Sequence, residues 1–103
     1  MKHFLIKYRF QQGSAEDWHR EIAKFIAALD SDPELQGKLS YRCMKVRDGA
    51  DYLHIAAVAD DATTKILQSR EFFPQYQAKT KAVSGGTVEV IPLEIIAETK
   101  HRA

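Results

Sequence analysis

The hydrophobic residues of three stretches of the chain follow patterns that are typical of β-strands, and in the first of them hydrophobic and polar residues alternate with a period of two. The first stretch runs from His3 to Gln11, and one of its faces carries Phe4, Ile6, Tyr8 and Phe10. Because successive side chains of a strand point to opposite faces, this pattern predicts a strand with one buried side. The stretches 39–48 and 51–60, separated by a turn at Asp48-Gly49, predict two further strands that form a hairpin.

Apolar residues recur at helical spacing in two other parts of the chain. Ser14 suits the N-cap of the first helix, whose apolar stripe consists of Trp18, Ile22, Phe25, Ile26 and Leu29. The second helix is predicted to begin after Asp60 or Asp61 and to end at Ser84-Gly85-Gly86. Pro74 lies inside it. Because proline lacks an N–H and disfavours helix at the preceding residue, we expect a kink or a break into two helices there.

The last strand is predicted from Thr87 to Glu98 and is unusually long. Its β-branched run from Val88 to Glu98 would extend over about 36 Å, whereas a common strand spans roughly 17 to 20 Å. Pro92 predicts an edge position or a bulge, because proline cannot donate to a neighbouring strand. A chain of 103 residues has little sheet of its own to pair with such a strand. The length therefore favours a dimer.

The order of elements is β-α-β-β-α-β, which predicts an α+β, ferredoxin-like fold with a four-stranded antiparallel sheet and both helices on one face. We expect residues 1–103 to form a single domain. The strands have apolar residues on both sides, so a second copy is expected to cover the sheet face that lacks helices. The sequence thus predicts a homodimer formed through the sheet face and the C-terminal strand 88–98.

Composition and charge narrow the range of functions. The 15 basic and 14 acidic residues are interspersed, which argues against nucleic acid as a partner. No apolar run approaches the roughly 18 residues needed to cross a bilayer, and the N-terminus lacks a small-residue cleavage site. We therefore predict neither a membrane partner nor a secretory signal. Cys43 is the single cysteine, which suits a reducing compartment, and we expect a cytoplasmic protein.

Candidate ligands for metals and cofactors are sparse. The four histidines lack metal-ligand spacing; they are His3, His19, His54 and His101. Glu16 and His19 form one Glu-x-x-His motif, whereas di-iron chemistry needs two. Gly85-Gly86 leads into a strand, unlike a phosphate-binding glycine loop, which opens a helix. No neighbour in sequence marks Cys43 as an activated thiolate. We predict no bound cofactor and no metal site.

A specific pattern of residue types covers the second helix and the strand after it. The helix carries Leu67, Ser69, Phe72 or Phe73 and Tyr76, and a glycine turn then leads to the run Leu93-Glu94-Ile95-Ile96. With the order of elements, this pattern resembles the antibiotic-biosynthesis-monooxygenase-like domains of the dimeric α+β barrel superfamily. The resemblance implies that two sheets pack into a barrel, that the last strand crosses the interface, and that a pocket lies between each sheet and its own helices.

The superfamily that the chain resembles includes cofactor-independent oxygenases of aromatic polyketides and quinols, haem-degrading enzymes, haem-dependent peroxidases, lactone isomerases and members without known activity. Its haem-degrading branch carries a histidine seven residues after a serine of the second helix. Counted from Ser69, that position is Tyr76 here, and the expected tryptophan three residues before the serine is Ile66. These departures argue against haem breakdown. The resemblance then implies a cofactor-independent monooxygenase that acts on a small aromatic or quinoid compound.

His54 is the titratable residue of the strand that should be the most buried, because both faces of that strand are apolar or small. A neutral imidazole there could take the proton of a phenol or hydroquinone, whose anion can reduce oxygen without a cofactor. We predict His54 as the base and Tyr76 as a second catalytic residue that orients the substrate. The predicted substrate-binding residues are Tyr8, Trp18, Tyr41 and Phe72.

Each of these residues also has a structural interpretation. A buried histidine can simply bond to a neighbouring strand or helix, and aromatic residues of amphipathic elements usually fill cores. The alternative function is a non-catalytic, small-ligand-binding or structural homodimer. A void of about 300 Å³ near His54 would favour an enzyme. A packed interior with His54 held by a backbone carbonyl would favour the alternative.

Overall fold

The computed structural model describes residues 1–100. Its seven elements in chain order are β1 (Lys2–Arg9), α1 (Ala15–Ser31), β2 (Leu39–Lys45), β3 (Asp51–Val58), α2 (Asp61–Ser69), α3 (Phe72–Val83) and β4 (Glu89–Leu93). The predicted α+β order is confirmed, with the second helix divided into α2 and α3. None of the helices in this part of the chain is both long and apolar enough to cross a lipid bilayer.

The four strands form one antiparallel sheet in the order β2-β3-β1-β4. β3 is central, as its two apolar faces predicted. The strand register places His54 of β3 between Ile6 of β1 and Cys43 of β2. β4 is an edge strand, which confirms the edge position predicted for Pro92.

The helices cover one face of the sheet and bury its inward residues. From the helices, the fully or nearly fully buried side chains include Trp18, Phe25, Leu29, Leu67 and Tyr76. Ser14 caps α1 by accepting the N–H of Asp17 at 3.3 Å, and Asp60 caps α2 by accepting the N–H of Thr63 at 2.8 Å. These caps satisfy backbone donors that a helix start leaves without partners.

The break in the second helix lies at Arg70-Glu71, before the proline that predicted it. The Arg70 guanidinium donates to the carboxylate of Asp32 at 2.7 and 3.3 Å and to Glu34 at 2.9 Å, so it ties the break to the end of α1. Pro74 then lies in the first turn of α3. A proline there loses no intrahelical bond, because first-turn N–H groups have no partner inside the helix.

The last strand is shorter than predicted, since only Glu89–Leu93 of the stretch 87–98 pairs as a strand. The pairing of β4 with β1 ends where Leu93 meets His3, one residue from the start of β1 at Lys2. Residues 94–98 follow without strand structure.

Within residues 1–100, no element covers the sheet face opposite the helices. Several large apolar side chains on this face or in the segment after β4 are exposed; they are Met44, Ile91, Leu93, Ile95 and Ile96. Ile96 is 85% exposed, which is unusual for isoleucine in a folded protein.

Candidate functional site

His54 lies in the middle of β3, with no solvent-exposed surface, on the face that the helices cover. Its Nε2 lies 2.9 Å from the hydroxyl of Tyr8 on β1. Its Nδ1 lies 3.0 Å from the hydroxyl of Tyr41 on β2 and 3.4 Å from that of Tyr76 on α3. Three tyrosines from three elements therefore converge on one imidazole. With Trp18 they form what we call the His54 cluster.

The direction of the hydrogen bonds in the His54 cluster follows from the number of protons available. Trp18 Nε1–H can only donate, and it donates to the Tyr8 hydroxyl at 2.9 Å. The Tyr8 hydroxyl therefore accepts from Trp18 and donates its own proton to His54 Nε2, the acceptor within reach. The proton of the neutral imidazole consequently lies on Nδ1, which donates to Tyr41. The tautomer is thus assigned by the network around the ring.

The cluster is electrically neutral near pH 7. Burial lowers the pKa of His54 to about 4, so its imidazole is uncharged. Burial raises the pKa values of Tyr8, Tyr41 and Tyr76, and these phenols stay protonated. Burial also raises the pKa of the Cys43 thiol, to about 11, although a hydrogen bond from Tyr76 lowers it. Cys43 is therefore a thiol and not a thiolate.

Aromatic rings pack tightly around the His54 cluster. The Tyr76 ring stacks on Phe25 with centroids 3.8 Å apart, and on Trp18 with centroids 5.6 Å apart. Phe72 reaches the cluster only through Phe25, at a centroid distance of 6.0 Å. Of the residues predicted from sequence, five therefore meet directly and Phe72 lies in a second layer.

Two aromatic residues at the site were not predicted as part of it. The ring of Tyr52 stacks on Tyr8 with centroids 5.1 Å apart and planes 6° from parallel, and its hydroxyl lies 2.7 Å from His19 Nε2. Phe25 supports Tyr76 from α1. The signal was present for both, because Tyr52 shares the inward face of β3 with His54 and Phe25 lies on the apolar stripe of α1.

The interior around His54 is packed, and tyrosine hydroxyls rather than a backbone carbonyl hold the imidazole. Three surface clefts of about 510, 250 and 330 Å³ lie elsewhere on the described residues, and His54 lines none of the three. The cleft of about 250 Å³ comes nearest in structure, because Cys43 and Tyr52 line it. A ligand can reach His54 only if aromatic side chains of the site move.

Within residues 1–100, no three His, Cys, Asp or Glu side chains gather into a group that could hold a metal ion. His3 lies on the sheet face away from the helices, His19 pairs with Tyr52, and His54 bonds to tyrosines. His101 lies outside the described residues. The donor set around His54 is made of phenols, an indole and a thiol.

Solved structures with the same fold cover almost the whole chain. SnoaB, a cofactor-independent oxygenase from Streptomyces nogalater, superposes with a TM-score of 0.75 at 17% identity, over 97% of each chain. An antibiotic biosynthesis monooxygenase superposes with a TM-score of 0.65 at 13% identity, over 94% of this chain and 100% of its own. A dimeric ferredoxin-like protein of unknown function from Jannaschia sp. CCS1 gives 0.64 at 18% identity, over 92% and 100%.

No protein-family model matches the chain, and no curated protein matches it in sequence. The likeness to the solved structures is therefore one of fold. The chain has the ferredoxin-like α+β fold of the antibiotic-biosynthesis-monooxygenase-like proteins, which confirms the resemblance found in the sequence.

Proposed function

We propose that the protein is a cofactor-independent, monooxygenase-like enzyme that oxidises a small aromatic or quinoid compound with molecular oxygen, and that His54 is its base. The observation that carries this proposal is the His54 cluster, in which one buried, neutral imidazole meets three phenol hydroxyls. The hydroxyls mark positions where the phenol groups of a substrate can bond. The fold is shared with an oxygenase that needs no cofactor, which supports the same reaction class.

In the proposed reaction the Tyr8 hydroxyl first releases its hydrogen bond to His54 Nε2. A substrate phenol takes its place and transfers its proton to Nε2. The resulting phenolate transfers one electron to oxygen, and superoxide then combines with the substrate radical to form a peroxide. Loss of water converts the former CH₂ carbon into a carbonyl. An anthrone thus gains one oxygen atom, and the second oxygen atom leaves as water.

The low pKa of His54 makes it a weak base in the closed protein. A phenolate bound beside the ring changes this, because a nearby negative charge stabilises the imidazolium and raises its pKa. Proton transfer and ion pairing therefore support each other in the bound state. Tyr76 and Tyr8 orient the substrate, and Trp18, Tyr41 and, from the second layer, Phe72 form aromatic walls.

A second candidate function is a non-catalytic homodimer that binds a small ligand or is purely structural. Its support is the completeness of the network, since His54 has no exposed surface and both of its nitrogens are bonded. Within residues 1–100, no buried side-chain nitrogen or oxygen lacks a hydrogen-bond partner. A satisfied polar network of this kind also serves to fix one packing of a core.

The protein is further proposed to act as a homodimer. The uncovered sheet face exposes Ile91 and Leu93, and residues 94–98 follow β4 with Ile95 and Ile96 exposed. A second copy would bury these side chains and provide strands for the extended segment. One of the proteins of like fold is dimeric, which supports this assembly.

Oxygen consumption with a panel of hydroquinones and anthrones tests the enzyme proposal. The variant His54→Gln keeps a hydrogen-bonding side chain but cannot act as a base, and Lys65→Met on α2, outside the site and the proposed dimer face, is the control. We expect the wild type and Lys65→Met to consume oxygen with at least one of these compounds, and His54→Gln to be slower by about 10²- to 10⁴-fold. No consumption by the folded wild type with any compound would favour the non-catalytic dimer.

A further inference from the structure

Any substrate of His54 must enter through a surface that aromatic side chains close. The cleft of about 250 Å³ lies between α1 and the strands β2 and β3, and we call it the α1 cleft; it is lined by His19, Ile22, Cys43, Met44, Lys45 and Tyr52. Two of these residues also touch the His54 cluster. Cys43 is paired with His54 in the sheet and bonded to Tyr76, and Tyr52 stacks on Tyr8.

Tyr52 is the wall between the α1 cleft and His54. Its ring forms part of the cleft on one side, and on the other lies 5.1 Å from the Tyr8 ring and 6.4 Å from the His54 ring. A rotation of this side chain would therefore join the cleft to the hydroxyl that occupies His54 Nε2.

A hydrogen bond to a surface residue holds the Tyr52 side chain in place. The Tyr52 hydroxyl bonds to His19 Nε2 at 2.7 Å, and His19 is an exposed residue of α1. Water can replace an exposed partner, so the net cost of releasing such a bond is small. The bond to His19 therefore holds the Tyr52 ring in place but can be released at low cost in free energy.

The α1 cleft is mostly apolar and has one cationic end. The ammonium of Lys45 donates to the carbonyl oxygens of Val46 and Gly49, both at 3.2 Å. In the described part of the chain it forms no ion pair with a carboxylate, and the nearby Asp51 is paired with Arg9 at 3.1 Å. An aromatic compound that carries a carboxylate would place its ring against Ile22 and Tyr52 and its charge against Lys45.

We infer that the α1 cleft is the substrate entrance, that it selects anionic aromatic compounds through Lys45, and that Tyr52, latched by His19, is the gate to His54. This inference rests on the proposed function in taking His54 as the end of the path. It adds a binding site and a substrate class. It can be tested by binding alone, without turnover.

The test is an NMR titration of the full chain with 1-hydroxy-2-naphthoate and with 1-naphthol, which lacks the carboxylate. Amide signals of the α1 cleft and ring signals of His54 are expected to shift with the naphthoate. Lys45→Met should weaken naphthoate binding about fivefold, as expected for one exposed ion pair, and change 1-naphthol binding little. Lys65→Met, which alters an exposed lysine on α2, is the control and should change neither.

Tyr52→Phe tests the gate, because it keeps the ring and removes the hydroxyl that His19 holds. A net hydrogen-bond energy of about 1 kcal/mol corresponds to about fivefold in the open population, so the fraction of bound probe that reaches His54 and shifts its ring signals should rise by up to about fivefold. Shifts confined to another surface, equal naphthoate affinity in Lys45→Met, or unchanged shifts of the His54 ring signals in Tyr52→Phe would each overturn the inference. Cleft binding without oxygen consumption would support the entrance and overturn the oxygenase proposal.

Discussion

The stability of the protein should depend on pH through His54, and the variant His54→Gln isolates that dependence. Burial lowers the pKa of His54 from 6.5 to about 4 in the folded protein. Between these values the unfolded chain binds a proton that the folded protein does not, so the free energy of unfolding falls as the pH falls from about 6.5 to about 4. At about 1.4 kcal/mol per pH unit, the full effect is about 3 kcal/mol.

Urea denaturation of the wild type and His54→Gln between pH 7 and pH 4, followed by Trp18 fluorescence at one protein concentration, measures this effect. Other groups also titrate in this range, including Asp32, whose pKa a bond from Arg70 lowers. They are common to both proteins and cancel in the difference. We expect the wild type to lose about 3 kcal/mol relative to the variant over this range. A difference that stays constant with pH would refute a buried, neutral His54.

Three further predictions concern the helix break, a turn and the assembly. Arg70→Ala should lower the Tm more than Lys79→Ala, because Arg70 bonds to the largely buried carboxylate of Asp32, whereas Lys79 pairs with Glu21 at the surface. Equal shifts in Tm would contradict a stabilising role of the Arg70–Asp32 ion pair. Gly85→Ala should lower the free energy of unfolding by about 1 to 2 kcal/mol, because Gly85 has φ 61° and a Cβ would lie 2.9 Å from Gln11 Oε1. Gly49→Ala, where φ is not left-handed, should change it by less than about 0.5 kcal/mol, and equal losses would show that φ is not the cause. Light scattering should give a mass of about twice 11.7 kDa, that of a dimer, for the wild type and for the surface control Ala23→Lys. The double variant Ile91→Lys with Ile95→Lys should have the mass of one chain, 11.7 kDa. A monomeric wild type would contradict the proposed dimer.

Local patterns in the sequence were sufficient to predict the fold and most members of the His54 cluster. Alternation assigned Tyr8 to a buried face, the apolar character of both faces of its strand predicted that His54 is buried, and the stripe of α1 assigned Trp18 to the core. Each of these predictions depends on a period of two or 3.6 residues, which a single chain displays directly. Their meeting at one imidazole depends on the register Ile6 to His54 and Cys43 to His54, which no local pattern contains.

Some features of the structure depend on contacts between residues that are distant in the chain. The Arg70 guanidinium at the helix break bonds to Asp32, which is 38 residues away. The last strand ends at Leu93, although residues up to Glu98 have strand-like composition. Tyr52 was overlooked as a site residue because its role depends on contacts with Tyr8 and His19 from two other elements.

The most direct test of the central claim, that His54 is the base of an oxygenase, is the ratio of kcat/KM for oxygen consumption between the wild type and His54→Gln on a hydroquinone or anthrone. We expect a ratio of about 10² to 10⁴, with one oxygen molecule consumed for each carbonyl formed from an anthrone. Equal values of kcat/KM in two folded proteins would contradict it.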